Sequence, residues 1–348
     1  MKKVSCKVGI CGHFGGGKKF FDGQTVKTHA VTLELEKRLG KSQVMKVDTY
    51  GGKKKLLKCL KELYMLLIRC DNVIILPAHN SVRIFPLLMV VCNRFLNKRL
   101  HYIVIGGWLP RFLEGRRILL LCLKKFDCIY VETWTMKNAL ENQGFENIIL
   151  MPNFKNISIL KQEELVFSKT QPFKLCTFSR VMKEKGIEDA VEVIKKINTE
   201  HGKIVYLLDI YGQIEEGYKR EFEELLKSCS DYVFYKGTVE PEKSVDVIRN
   251  YFFLMFPTRF YTEGIPGTII DAYAAGVPVI SSKWESFNDV VNNEMTGIGY
   301  EFMNINELER LLIKISVNPD MIFRMKQNCL KKAEEFMPKE VMRKMLLL

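Results

Sequence analysis

Phe256-Pro257-Thr258-Arg259-Phe260-Tyr261-Thr262-Glu263-Gly264-Ile265-Pro266-Gly267-Thr268-Ile269-Ile270-Asp271-Ala272-Tyr273-Ala274-Ala275-Gly276-Val277-Pro278-Val279-Ile280 is the most informative stretch of this chain. An apolar run over 253–256 enters a polar loop that holds Gly264 and Gly267. A mostly apolar segment over 268–275 follows, and Gly276-Val277-Pro278 turns the chain into a second apolar run. The order predicts strand, loop, helix, turn and strand, the unit of a parallel sheet covered by helices. Glycine lets backbone come close to a ligand. Amide N–H groups at a helix start favour an anion such as a diphosphate. Glu263 precedes the helix, and Asp271 lies three residues after Thr268. Carboxylates so placed can accept hydrogen bonds from hydroxyl groups of a ligand. They can equally do no more than stabilise the helix dipole.

The same rhythm extends in both directions. Upstream, strands are expected at 7–11, 43–48, 72–76, 102–106, 128–132 and 147–150, with helices between them, including single helices over 81–94 and 111–124. Met151-Pro152-Asn153-Phe154 interrupts the pattern, and a polar stretch follows to residue 171. The alternation then restarts, with strands at 174–178, 205–211, 233–236, 253–256 and 279–281, and helices fill most of 305–348. The expected domains are 1–152, 153–325 and a closing helix, 326–348, that packs back on the first domain. A chain of 348 residues suits two α/β domains, and ligands in such sheets sit at the carboxyl ends of the strands.

The charge is uneven. Residues 1–150 hold 26 Lys+Arg and 11 Asp+Glu, or +15, and the remainder hold 27 and 29, or −2. A basic half implies a polyanionic partner. Ten cysteines occur with no Cys-x-x-Cys pair, which argues against a zinc site and for a reducing compartment. The apolar runs 84–92 and 118–123 are far shorter than the ~20 residues of a spanning helix. Met1 to Ile10, broken by Lys7, reads as a first strand rather than a signal peptide.

The quoted stretch resembles the signature of retaining glycosyltransferases of family 4. Glu263-Gly264 matches its acid-glycine start, and Ala272, Ala274, Gly276, Pro278, Val279 and Ile280 match its end. Asp271 stands where that family usually has Glu. Phe178-Ser179-Arg180-Val181-Met182-Lys183-Glu184-Lys185-Gly186 is similar to the family's Gly-Arg…Lys-Gly segment, with Arg180 and Lys185 at its five-residue step. Met151-Pro152-Asn153 resembles the junction between the family's domains. Asp209-Ile210-Tyr211-Gly212 and Tyr235-Lys236-Gly237-Thr238-Val239 resemble the segments beside the nucleotide base. Segments at 105–110 and 130–133 look like those of bacterial capsule and exopolysaccharide transferases.

The resemblance implies a GT-B fold, two Rossmann-like domains with an interdomain cleft. It implies Glu263 facing the donor sugar, and Arg180 and Lys185 neutralising the donor's diphosphate. Gly212, Thr238, Gly264, Ile265, Pro266, Gly267 and Thr268 would complete the donor site. Asp271 would hold the ribose, its missing methylene leaving room for a bridging water. The expected activity is metal-independent, retaining transfer of a hexose or N-acetylhexosamine from a UDP-linked donor to a lipid-linked or saccharide acceptor. No Asp-x-Asp metal motif occurs, and no cofactor is expected.

Gly12-His13-Phe14-Gly15-Gly16-Gly17-Lys18-Lys19 nearly spells a P-loop, but Lys19 occupies the place of the Mg²⁺-binding hydroxyl. Phe20 stands where a dinucleotide fingerprint needs its third glycine. In the GT-B reading, Gly15 and Gly16 instead admit the donor sugar or an acceptor phosphate. Many members of that family carry a histidine where this chain has Gly106-Gly107-Trp108; His13 and His79 are the candidate substitutes, although a lone histidine is more often structural. Lys and Arg interleave with Leu over 53–63 and 116–125, a pattern of peripheral attachment to an anionic membrane at the inner face of the plasma membrane. Two other classes remain open here. A non-hydrolysing sugar-nucleotide epimerase shares the two-domain plan, and a basic nucleic-acid-binding protein fits the charge but lacks a recognisable motif.

Overall fold

The computed structural model describes residues 6–17, 23–51, 56–77, 79, 81–167 and 170–345. Lys18, Lys19, Phe20 and the Lys53-Lys54-Lys55 run lie outside the described residues. By its contacts the chain divides into two units: Met1–Lys155 with Pro338–Leu348, and Asn156–Met337.

The first unit is built on six parallel strands: β1 (Cys6–Gly12), β2 (Val44–Asp48), β3 (Cys70–Ile75), β4 (Arg99–Ile103), β5 (Cys128–Val131) and β6 (Ile148–Leu150), in the order β2-β1-β3-β4-β5-β6. The sheet is buried on both faces, because successive side chains enter different cores. Val8, Ile10 and Ile74 join one core with Val31 and Leu35 of the helix Gly23–Leu39. Cys11, Val73 and Ile75 join another with Leu63, Leu66 and Leu67 of the helix Leu56–Arg69.

The second unit has strands β7 (Phe173–Phe178), β8 (Tyr206–Tyr211), β9 (Val233–Gly237), β10 (Phe253–Phe256), β11 (Val279–Ser282) and β12 (Gly297–Tyr300), in the order β12-β11-β10-β7-β8-β9, again all parallel. β7 lies between β8 and β10, so the winding reverses there. Such a switch point opens a crevice beyond the carboxyl ends of its two strands.

Three sequence expectations change. The single helix over 111–124 is two, Leu109–Leu113 and Arg117–Leu123. Glu114 leaves the helix at φ −55°, ψ 125°, and Gly115 follows at φ 73°. β12 carries no strand signal in the sequence, because two of its four residues are glycine. The closing region is three helices, Ile305–Val317, Asp320–Glu334 and Pro338–Met342, interrupted at Pro319 and Pro338. The expected boundary at 326 falls inside the middle helix, whose Cys329 and Ala333 pack in a core of the second unit with the helix Gly267–Ala274. Only residues from Pro338 return, with Val341, Met342 and Met345 buried in the first unit beside Val8 and Phe154.

Candidate functional site

The loops beyond β7 and β10 meet at the switch point of the second sheet. After β7 the chain passes Ser179 and Arg180, makes one 3-10 turn at Lys183–Lys185 and enters the helix Ile187–Glu200 through Gly186. Gly186 is left-handed, at φ 65°, and a Cβ on it would overlap the carbonyl oxygen of Pro257 just beyond β10. Arg259 closes the same junction. Its amide donates to the Glu184 carbonyl at 2.8 Å. Its guanidinium grips Asp189 through Nε at 3.1 Å and Nη2 at 2.5 Å, and reaches Glu188 at 2.9 Å. A planar fork on two acids in a helix's first turn fixes one loop against the other.

On this frame Lys185 forms an ion pair with Glu263, and Thr258 Oγ1 donates to the same Glu263 oxygen at 3.2 Å. The Lys185 ammonium also lies 5.0 Å from the Phe260 ring centre and 5.5 Å from that of Phe256. Both charged side chains are mostly shielded, at 14% and 17% exposure. A shielded cation held by one carboxylate keeps donor capacity for an incoming anion, because an ammonium carries three N–H groups. Arg180 is exposed and makes no ion pair among the described residues. Gly212, beyond β8, sits so close that a Cβ would overlap the Ser179 carbonyl oxygen. Its amide donates to Gly237 at 2.8 Å, one residue before exposed Thr238. The loops after β9, β8, β7 and β10 therefore adjoin in that order.

Gly264 and Ile265 are buried, and Gly267 and Thr268 open the helix Gly267–Ala274. The Thr268 hydroxyl and the Trp284 indole N–H are buried without a hydrogen-bond partner among the described residues. Such atoms are costly unless something satisfies them. Asp271 is only 3% exposed, so its carboxylate is far less open than Glu263. No group of three or more His, Cys, Asp or Glu among the described residues could hold a metal ion.

The sequence profile of the family "Glycosyl transferases group 1" matches residues 160–335. The chain belongs to that family. Its match spans the whole site of the second unit, from before β7 to the helix Asp320–Glu334. The amylovoran biosynthesis glycosyltransferase AmsK of Erwinia amylovora is 25% identical over 149 residues, which is 42% of this chain and 36% of that protein. The chain spans about half or less of the length of the curated relatives it matches. Among solved structures, the sucrose-phosphate synthase of Thermosynechococcus elongatus superposes at a TM-score of 0.75, with 14% identity, over 97% of this chain and 96% of that one. HepE of Anabaena, solved with UDP and glucose, superposes at 0.70 with 12% identity over 95% of each chain. The fold of this chain is GT-B.

Gly15 and Gly16 belong to the first unit, at the carboxyl end of β1, which is that sheet's own switch strand. Their loop is already fastened. Asp48, at the end of β2, accepts from the amides of Phe14 at 2.8 Å, Gly16 at 2.7 Å and Tyr50 at 2.9 Å. A carboxylate of the chain itself thus occupies the Phe14 and Gly16 amides that a phosphate would use in a P-loop. Burial pushes the Asp48 pKa up, but the amides of Phe14, Tyr50 and Gly16 and the nearby His13 outweigh it and hold the carboxyl below its ordinary value. The charged form therefore stabilises the fold above the unfolded carboxyl value of about 4. That contribution is lost as pH falls through the lower folded value. Asp48→Asn should flatten the acid side of a stability-against-pH curve; an unchanged acid limb would remove Asp48 from this role.

His13 Nδ1 is 2.6 Å from Thr25 Oγ1, and the His79 ring packs 4.6 Å from Trp108 and 4.5 Å from Phe112. Sequence reasoning missed Asp48, Arg259, Thr258 and Trp284. Asp48 and Arg259 act across 32 and 70 positions of chain, where spacing carries no signal.

The Gly186 contact yields a direct test. Gly186→Ala places a Cβ in a left-handed residue, which costs about 1–2 kcal/mol, and the overlap with Pro257 adds to it. Denaturant unfolding should show a loss of about 2 kcal/mol or more. A loss below about 0.5 kcal/mol, the size of an ordinary surface substitution, would mean that the two loops are not locked together.

Proposed function

We propose that this glycosyltransferase moves a hexosyl or N-acetylhexosaminyl group from a UDP-linked donor to a lipid-linked or saccharide acceptor of cell-surface polysaccharide, with retention of configuration. The observation that carries the reading is the Lys185–Glu263 pair at the switch point, beside a helix start with an orphan hydroxyl at Thr268. The donor diphosphate takes Lys185 and Arg180 as its cations, and Glu263 faces the sugar. The bond from the anomeric carbon to the diphosphate oxygen breaks, and the acceptor oxygen bonds to that carbon on the face being vacated. The acceptor proton passes to the departing diphosphate, so no protein base is needed. The two cations stabilise the growing charge, which is why we propose a metal-independent reaction. Gly212, Thr238, Ile265, Pro266 and Gly267 line the donor, and the ribose contact of Asp271, one methylene shorter than the family's Glu, runs through water. HepE was solved with UDP, and AmsK is named for amylovoran biosynthesis; both support the reading. The +15 of residues 1–150 supports a cytoplasmic enzyme held at an anionic membrane surface.

Thermal shift with UDP-, GDP-, ADP- and CMP-sugars, with and without EDTA, tests the donor. UDP-sugars should raise Tm, EDTA should not matter, and Glu263→Ala should lose the part that depends on the sugar. Stabilisation by no nucleotide-sugar would overturn the proposal, and dependence on a divalent cation would overturn its metal-independent part.

A further inference from the structure

Among the described residues, four of the most exposed large apolar side chains lie on two neighbouring segments of the first unit. Phe95 is 87% exposed, Ile118 76%, Val91 68% and Leu121 61%. Val91 sits on the helix Phe85–Asn93 and Phe95 one turn further on, four residues later. Ile118 and Leu121 sit three residues apart on the helix Arg117–Leu123, which packs against the helix Phe85–Asn93. Ile118 and Leu121 lie on one face of their helix, and Val91 and Phe95 stand in the last turn of the helix Phe85–Asn93 and just beyond its end. The opposite faces are in the core, through Phe85 and Met89 on one and Leu119 and Leu123 on the other. Core packing therefore does not account for the four exposed side chains, and together they make an apolar surface in need of a partner.

The surroundings indicate which partner. Arg94, Arg116, Arg117, Lys124 and Lys125 are all exposed on the same two segments. Residues 83–99 and 111–127 together contain nine Lys+Arg against two acids, Glu114 and Asp127. Asp127 is engaged with the backbone amide of Leu100 at 2.7 Å. Apolar side chains protruding from helices and surrounded by cations match the boundary between phosphate headgroups and acyl chains. The aliphatic stems of Arg and Lys extend with the apolar group while their charged heads stay at phosphate level.

We propose that this face is a membrane-insertion surface: Val91, Phe95, Ile118 and Leu121 enter the headgroup–acyl boundary of an anionic bilayer, and Arg94, Arg116, Arg117, Lys124 and Lys125 hold its phosphates. The proposal deepens the membrane partner suggested above and rests on that reading for its purpose, while its geometry is independent of the donor site. Of the two stretches that the sequence offered, it uses 116–125 and adds Val91, Arg94 and Phe95.

The test uses the whole chain and vesicles of phosphatidylcholine with and without phosphatidylglycerol. In Phe95→Trp, the emission added over wild type should be quenched by lipids brominated on the acyl chain and protected from a water-soluble quencher. Phe95→Ser with Ile118→Ser should weaken partitioning onto phosphatidylglycerol vesicles about tenfold. Arg117→Gln with Lys124→Gln and Lys125→Gln should weaken it and reduce its salt dependence. UDP-sugar stabilisation, measured on the same variants, should stay at the wild-type level, which also confirms that they fold. Absent acyl-chain quenching, or unchanged partitioning of the double serine variant, would overturn the proposal. So would a concentration-dependent dimer that the serine pair abolishes without vesicle binding in wild type. Vesicle binding without any nucleotide-sugar binding would leave this surface standing and remove the donor reading instead.

Discussion

Lys185→Ala should lower kcat about 10²- to 10³-fold with saturating donor, the usual cost of one group that stabilises charge developing on a leaving oxygen. The structure gives the reason for so large an effect. Lys185 is shielded, its ammonium is fixed by Glu263 and lies near two aromatic rings, and Thr258 fixes Glu263 in turn. A cation that is already in place needs no reorganisation as the sugar–diphosphate bond breaks. Lys185→Arg should recover only part of the rate, because a planar fork does not fit a site shaped around a point charge. The KM for donor should rise less than kcat falls, since the interaction strengthens as charge develops. Steady-state kinetics on the alanine and arginine variants, with unfolding curves as control, decide it. A kcat within threefold of wild type would remove Lys185 from the chemistry.

Glu132→Ala should destabilise the first unit by about 3–5 kcal/mol, the cost of leaving one member of a buried ion pair alone. Its partner Lys27 is 2% exposed and Glu132 4%, with 3.8 Å between their charged atoms. Lys27 also donates to the Pro152 carbonyl at 3.2 Å and to Asn153 Oδ1 at 3.1 Å, with its ammonium 4.7 Å from the Phe154 ring centre. Burial lowers its pKa to about 8 in spite of Glu132. Charging Lys27 therefore costs the folded state below about pH 8, and that cost is relieved as pH rises toward the unfolded lysine value of about 10.4. The double variant Lys27→Met with Glu132→Leu removes both charges and should lose less than Glu132→Ala alone. Relative to that double variant, wild type should gain stability over this pH window. Denaturant titrations at several pH values measure both effects. A loss near 1 kcal/mol for Glu132→Ala would mean that water reaches the pair.

The parts of the site that the sequence exposes are local. Glu263, Gly264 and Gly267 stand within five positions, and Arg180 and Lys185 within six, so their spacing can be read along one line. The paired α/β rhythm is legible for the same reason, because most strands are short runs dominated by apolar residues. What escapes is made by contacts between distant segments. Arg259 stands in the quoted stretch, yet its partners Glu188 and Asp189 are about 70 residues away. The glycine loop of the first unit reads as an open anion cradle, and only Asp48, 32 positions on, shows that two of its amides are engaged. Lys27 reads as one more member of a basic half until Glu132 and Asn153 are seen around it. β12 was hidden by its glycines, and the helix over 111–124 concealed a break at Glu114-Gly115.

The return of the chain at Pro338 separates the order of synthesis from the order of completion. Residues up to Lys155 are made before the second unit, but their core lacks Val341, Met342 and Met345 until the second unit has been made as well. The second unit, continuous from Asn156 to Met337, meets no such delay. Translation therefore finishes the later unit first and leaves a greasy seam open on the earlier one. During that interval the nascent chain is most exposed to chaperones and to mispairing with its neighbours.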